Sequence, residues 1–242
     1  VVLTAATSAV ATAASSIAAR VYGCAVVAVA RRRDRTDGEW EALCESLREE
    51  HHASMVLSEE EVIKTPPKVL IEKVKSASPR DAEGPEADPP QVPLCLDCVG
   101  GKVGSRLAMC LSLQGTHVTY GGLSRSPVSI GAGSSIFSDI RYRGFWLTRW
   151  AEKVDLLPYF ADVSGSSSGS GVFPWSNKAT DFVQRDERVR VLSSIYEMVE
   201  EGVIKLPRTS LFHLSDYEGA FNEVGKGTKV AFDCRVDEPE DS

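Results

Sequence analysis

The sequence lacks an excess of positive charge. Its 27 Lys and Arg are outnumbered by 34 Asp and Glu, for a net charge of −7 and a pI near 5.2. That balance argues for no nucleic acid partner, because affinity for a phosphate backbone comes from basic side chains. It also lacks a cysteine framework. Six cysteines are scattered through 242 residues, so free thiols in a reducing compartment are expected. The opening stretch is not expected to be a signal anchor or transit peptide. No basic residue precedes the uncharged opening from Val1 to Ala19, and small polar residues break its apolar run, so no membrane partner is expected. The chain opens on Val1 with no room before the first strand, and further residues are expected upstream. A hydrophobic fraction of 43% and a charged fraction of 25% are those of an ordinary globular protein.

What is present begins with a strand, turn, helix and strand. Val1 to Ala5 is apolar, Ala6 to Ala11 is a bend of small residues, and an Ala-rich helical pattern puts Ile17, Ala18 and Val21 on one face. A second apolar run, Ala25 to Val29, ends in Arg31-Arg32-Arg33. Such a unit sets a helix N-terminus at the carboxyl end of a strand, where a pyrophosphate binds. The turn has none of the glycines of G-x-G-x-x-G; Ala6, Ser8 and Ala11 stand at those positions. Alanine suits the third position, and Ser8 offers a hydroxyl to a phosphate. Ala6 is expected to be strained, since a positive φ disfavours a Cβ. On spacing alone, a plain buried helix after a strand fits equally well. The arginines after the second strand, with no acid before Asp34, favour NADPH over NADH.

Farther along, Trp40 to Arg48 reads as a helix and Met55 to Leu57 as a strand. Ser58 caps a helix that opens Glu59-Glu60-Glu61; Pro66-Pro67 interrupts it and Val69 to Val74 resumes it. The Pro-rich, acidic stretch 76–92 reads as a surface insertion. Then come a strand over Leu94 to Val99 ending in Gly100-Gly101, a helix over Ser105 to Leu113, and a strand over Thr116 to Tyr120 ending in Gly121-Gly122. A further strand is expected over Ile140 to Leu147. A long helix, Phe182 to Glu200, is expected to bury Val189, Leu192, Ile195, Tyr196 and Val199. A short helix over Leu214 to Val224 and a strand over Thr228 to Cys234 close the pattern. Helices alternating with apolar strands make the fold class α/β, a doubly wound, mostly parallel Rossmann sheet with a C-terminal helix–strand segment that would complete a catalytic domain. No metal site is expected: Cys95 and Cys98, three apart on a strand, point to opposite faces, and His51-His52 has no partner motif. Gly165-Ser166-Ser167-Ser168-Gly169 matches G-x-S-x-G, but in a low-complexity linker rather than at a strand-to-helix turn.

Leu96-Asp97-Cys98-Val99-Gly100-Gly101, Val118-Thr119-Tyr120-Gly121-Gly122 and Arg143-Gly144-Phe145-Trp146-Leu147-Thr148-Arg149-Trp150 together resemble mitochondrial trans-2-enoyl-thioester reductases of the medium-chain dehydrogenase/reductase superfamily. The resemblance runs from Val1 to about Val236. It implies a pyrophosphate loop at Thr7, Ser8, Ala9 and Val10, and a 2′-phosphate site at Arg31 and Arg32 beside Ala30, where the family more usually has Arg. It implies a nicotinamide side at Tyr120, Gly121, Gly122 and Leu123 and at Phe145, Trp146 and Leu147, with Lys229 matching a C-terminal family lysine. Alone, Phe145, Trp146 and Trp150 would read as core aromatics. Ala11 stands where a family glycine is expected.

The implied organisation is an NADPH-binding Rossmann domain over 1–162, a Ser/Gly-containing insertion over 163–179, C-terminal helices and a strand over 180–236, and an acidic tail over 237–242. The implied function is NADPH-dependent reduction of enoyl thioesters of acyl carrier protein or CoA in mitochondrial fatty acid synthesis, by a homodimer. The family's catalytic tyrosine sits in an N-terminal GroES-like domain, so the proton donor is expected outside these residues. Two other readings stay open: a non-catalytic, reductase-like scaffold subunit, and a quinone-type reductase with the same cofactor domain.

Overall fold

The computed structural model describes residues 1–33, 35–78, 90–147, 149–150, 178–207, 209–223 and 229–233. The Ser/Gly stretch from 163 to 177, the acidic tail and most of the 76–92 insertion lie outside the described residues. The chain divides into two units, Val1–Ile204 and Lys205–Ser242.

The first unit is built on β1 (Val2–Leu3), α1 (Ala9–Arg20), β2 (Val27–Ala30), α2 (Asp37–Glu49), β3 (Met55–Ser58), α3 (Glu59–Lys64), α4 (Pro67–Lys75), β4 (Leu94–Asp97), α5 (Gly101–Ala108), β5 (Thr116–Thr119), α6 (Ala132–Ser138), β6 (Arg141–Gly144) and α7 (Lys178–Glu200). The six strands lie in the order β3-β2-β1-β4-β5-β6, and every pairing is parallel. Val2 pairs with Val27 on one side and Cys95 on the other, so β1 is central. The doubly wound Rossmann sheet read from the sequence is borne out. From β1 the chain winds outward through β2 and β3, and from β4 it winds the opposite way through β5 and β6. The carboxyl ends of β1 and β4 therefore flank the reversal point, where open α/β sheets form a crevice.

Alternation along the strands covers both faces. Val27 and Val29 enter one core with Val2, Leu57, Val62, Leu70 and Leu107, beneath α3, α4 and α5. Ala28 and Ala30 point the other way, with Leu47 of α2, and Leu3 and Val26 pack with Ala18 of α1. Buried on both faces, the strands read as continuous apolar runs. Capping boxes start two of the helices: Thr36 with Glu39 at α2, and Ser58 with Glu61 at α3. Each satisfies two amides that the helix leaves unpaired.

Several boundaries differ from the sequence expectation. The buried residues of α1 are Ala11, Ser15, Ser16 and Ala18, not Ile17 and Val21, because the helix lies close to the sheet and only small side chains fit beneath it. α5 starts at Gly101 rather than Ser105 and ends at Ala108. The strand expected over Ile140 to Leu147 is only Arg141–Gly144, and Ile136 lies in α6. Val92, assigned to the surface insertion, is buried, and its amide donates to Ser112 Oγ at 2.8 Å. The stripe expected to bury α7 is exposed at Val189, Leu192, Ile195 and Tyr196. That helix is tied down at its C-terminal end instead. Val203 and Ile204 donate to Met198 O past Gly202, which holds φ at +68°, an arrangement that favours glycine.

The second unit holds a parallel pair, β7 (Thr209–His213) and β8 (Lys229–Asp233), a 3-10 turn over Leu214–Asp216 and α8 (Tyr217–Glu223). β7 was not expected, because Thr209-Ser210-Leu211-Phe212-His213 carries only two large apolar residues.

Candidate functional site

The turn after β1 solves its missing-glycine problem one residue earlier than expected. The positive φ, +48°, falls on Ala5 rather than Ala6, so the Cβ strain expected of Ala6 is carried by Ala5, at about 1 kcal/mol. Ala6 is 2% exposed and donates to Val29 O, and Ala11 is 1% exposed. Their methyls are absorbed into the fold and do not fill the mouth of the turn. Ser8 is the N-cap of α1, its hydroxyl accepting from Ala11 N at 3.2 Å. Ala9 and Val10, the first helical residues, have amides with no partner inside the helix. Thr7 and Val10 are exposed, while Ser8 and Ala9 are half-buried.

Beyond β2 the arginines are engaged. Arg31 Nε lies 3.4 Å from Glu59 Oε2. Arg32 pairs with Asp37 and sits 5.9 Å from the Trp40 ring centroid, a cation–π contact that orients its guanidinium. Arg35 donates to Arg31 O. Both Arg31 and Arg32 keep a third or more of their side-chain surface exposed, within reach of an incoming anion.

At the end of β4 stands Asp97, 0% exposed. Its Oδ1 accepts from Thr4 Oγ1 at 2.9 Å, from Val99 N at 2.9 Å and from Gly100 N at 3.0 Å. Thr4 Oγ1 in turn accepts from Cys98 N at 2.8 Å. Asp97 Oδ2 faces His117 Nε2 of β5 at 3.5 Å, and neither atom has a hydrogen bond of ordinary geometry among the described residues. Burial pushes the His117 pKa below its ordinary 6.5, although the Asp97 carboxylate and the backbone at Gly104 pull it up. α5 can approach because residue 104 is glycine: a Cβ there would collide with Asp97 Oδ2.

The turn after β5 zips onto the same segment. Tyr120, Leu123 and Ser124 amides donate to the carbonyls of Asp97, Cys98 and Val99. Gly121 is required by this approach, since a Cβ would lie 3.0 Å from both Cβ and O of Cys98. Burial and the neighbouring Cys98 push the Tyr120 phenol well above its ordinary value of 10, so it stays protonated. Gly121, Gly122 and Leu123 are exposed. Phe145, Trp146 and Leu147 follow β6 and are exposed as well, with Phe145 6.5 Å from the Trp150 ring.

Parallel strands thus bring the candidates after β1, β2, β5 and β6 to one edge of the sheet. Lys229 opens β8 of the second unit and is described with that unit alone. Sequence reasoning quoted Asp97 within a motif but gave it no role, and it missed Thr4 and His117. An acid in the otherwise apolar Leu94-Cys95-Leu96-Asp97-Cys98-Val99 was the available signal; nothing in sequence alone paired it with residues 93 positions before and 20 after.

No protein-family model matches the chain. Among curated proteins, the human mitochondrial enoyl-[acyl-carrier-protein] reductase is 31% identical over 133 residues, which are 55% of this chain and 28% of that one. The Caenorhabditis elegans protein of the same name is 51% identical over 61 residues, 25% and 18% of the two chains. Among solved structures, an Etr1p–NADP–crotonyl-CoA complex superposes with a TM-score of 0.61 at 22% identity, covering 95% of this chain and 53% of that one. A putative NADPH:quinone reductase from Bacillus thuringiensis gives 0.54 at 17% identity, covering 95% and 54%. The chain spans less than a third of those curated relatives and about half of those solved structures. Over those partial lengths, it is similar in sequence to mitochondrial enoyl-[acyl-carrier-protein] reductases and in fold to the enoyl thioester reductases, as its motif residues implied.

Proposed function

We propose that this chain is the NADPH-binding part of a mitochondrial reductase of trans-2-enoyl thioesters, carried on acyl carrier protein or CoA, in fatty acid synthesis. The observation that carries the reading is one edge of the sheet. There, an N-capped helix start with the Ala9 and Val10 amides lies beside a strand ending in Arg31 and Arg32. The residues fit the group. Ala6 and Ala11 are buried, so the turn keeps its mouth open without glycine, and the dipole of α1 favours the pyrophosphate.

Thr7, Ser8, Ala9 and Val10 would hold the pyrophosphate, and Arg31 and Arg32 the 2′-phosphate, with Arg32 exchanging Asp37 for the ligand. Tyr120, Gly121, Gly122 and Leu123 would border the nicotinamide with Phe145, Trp146 and Leu147. When bound, NADPH supplies a hydride, destined here for Cβ of the conjugated double bond. The chain's own residues hold the reacting ring against the substrate and exclude water with the exposed aromatics after β6. The proton for Cα is assigned to a tyrosine outside these 242 residues, as the family resemblance implies.

We further propose a homodimer, supported by the edge of β6 that no strand covers among the described residues and by the exposed Phe137, Phe145 and Trp146 in the segments flanking β6 in sequence. The names of the curated relatives support a mitochondrial location. Mixing the chain with NADPH and following nicotinamide fluorescence tests the cofactor reading. Enhanced emission that NADP chases away is expected. No change at millimolar NADPH would hand the chain to the scaffold reading.

A further inference from the structure

We infer that Asp97 and Thr4 are positioning residues for the bound nicotinamide cofactor, forming one buried latch that sets the turns after β1 and β4 against each other. The inference rests on the cofactor reading above and deepens it. The two turns come from segments more than 90 residues apart in sequence, and they flank the point where the sheet reverses direction.

The latch is reciprocal. The Thr4 hydroxyl donates to Asp97 Oδ1 and accepts from Cys98 N. The same Oδ1 takes the Val99 and Gly100 amides at the entry to α5, where a negative charge also suits the helix dipole. Immediately after Thr4 the chain enters the left-handed turn at Ala5, whose carbonyl accepts from Ser8 N, so the register of the phosphate turn is fixed one residue from the latch. Gly100, at φ +72°, is fixed directly. A plain core would hold these segments with apolar side chains. Here a fully buried carboxylate is kept, at the desolvation cost such a group carries, and Gly104 leaves it room. Its second oxygen faces His117, a lateral stop against rotation of the carboxylate.

Only the Oδ1 side of the group is required by this role. An asparagine presents a carbonyl oxygen to the same three donors and an amide to neutral His117. Valine at position 4 is nearly isosteric with threonine but removes both of its hydrogen bonds, whereas serine keeps them.

The test is calorimetric titration of NADPH into the parent, Thr4→Val, Thr4→Ser and Asp97→Asn chains. Adenosine 2′-phosphate, which reaches only the arginines beyond β2, is titrated as a control, and near-ultraviolet circular dichroism checks that each chain is folded. Loss of two buried hydrogen bonds is expected to weaken NADPH at least about tenfold in Thr4→Val. Thr4→Ser is expected to stay within about threefold of the parent and Asp97→Asn, whose amide oxygen keeps the three donors without the charge, to fall between Thr4→Ser and Thr4→Val, with adenosine 2′-phosphate unchanged throughout. A Thr4→Val chain that binds NADPH as the parent does overturns the inference. So does a Thr4→Ser chain as weak as Thr4→Val, or a parallel loss for adenosine 2′-phosphate, which marks a general structural defect. A parent that binds no NADPH at millimolar concentration overturns the cofactor reading and this inference with it; a parent that binds beside an equally competent Thr4→Val overturns this one alone.

Discussion

Gly104→Ala should destabilise the chain although alanine is the better helix former. The new Cβ would collide with Asp97 Oδ2, lie 3.1 Å from Asp97 Cγ and 3.2 Å from Val128 Cγ2. The carboxylate cannot retreat without releasing the three donors on its other oxygen. Either α5 lifts off β4 or the carboxylate turns. Overpacking of this kind costs about 1–3 kcal/mol, and a disturbed buried hydrogen-bond set adds about 1–3 kcal/mol. Alanine's helix propensity returns about 1 kcal/mol. The net expectation is a loss of roughly 1–5 kcal/mol, read as a lower urea midpoint at unchanged slope. Gly38→Ala is the matched control, since Gly38 lies in α2 and a Cβ there meets nothing within 4 Å. It should be neutral or stabilising by up to about 1 kcal/mol. If Gly104→Ala unfolds at the parent's midpoint, the account of Asp97 as a fixed, tightly seated carboxylate is wrong.

Three further expectations follow from the same structure. Leu107→Ala, at a fully buried position in the largest core, should cost about 2–5 kcal/mol in urea unfolding; a loss below about 1 kcal/mol would mean that α5 is not seated as described. The folded chain resists protonating His117 because its pKa is pushed below 6.5, while the unfolded chain does not. The stability this group contributes is therefore full above about pH 6.5 and declines as pH falls from there toward the lowered folded value. Unfolding free energies at about pH 7.5 and about pH 5.5 should show that slope in the parent and a flatter one in His117→Asn, and equal slopes would contradict the assignment. The chain alone should bind NADPH without reducing crotonyl-CoA at an enzymatic rate; turnover would oblige one of its own groups to be the acid.

Periodicity made the sheet legible. Strands covered on both faces, such as Val27–Ala30, read as unbroken apolar runs, and Ser58 with Glu61 announced the start of α3. The ends of elements were less legible. α5 begins four residues early because Gly100 and Gly101 take positive φ, leaving no side chain to mark the start. The stripe on α7 was real as a pattern, but nothing in a periodicity says whether a face meets the core or solvent. At the site, the exposed candidates after β1, β2, β5 and β6 were found because their spacing from strand ends is local. Asp97, Thr4 and His117 were not, since their relation exists only once β1, β4 and β5 lie side by side. The positive φ falls one residue before the expected position for the same kind of reason: Ala6 is buried with Ala28 and Ala30 and its amide donates to Val29 O, which leaves Ala5 to make the turn.

The measurement that bears most directly on the cofactor claim is the pair of affinities for NADPH and NADH, in the parent and in Arg32→Ala. Charge-assisted pairing of Arg31 and Arg32 with the 2′-phosphate, partly offset by releasing Asp37, should favour NADPH by at least roughly tenfold. Arg32→Ala should lose most of that preference while leaving NADH affinity unchanged. Equal affinities in the parent, or an Arg32→Ala chain that still prefers NADPH as strongly, would contradict the account.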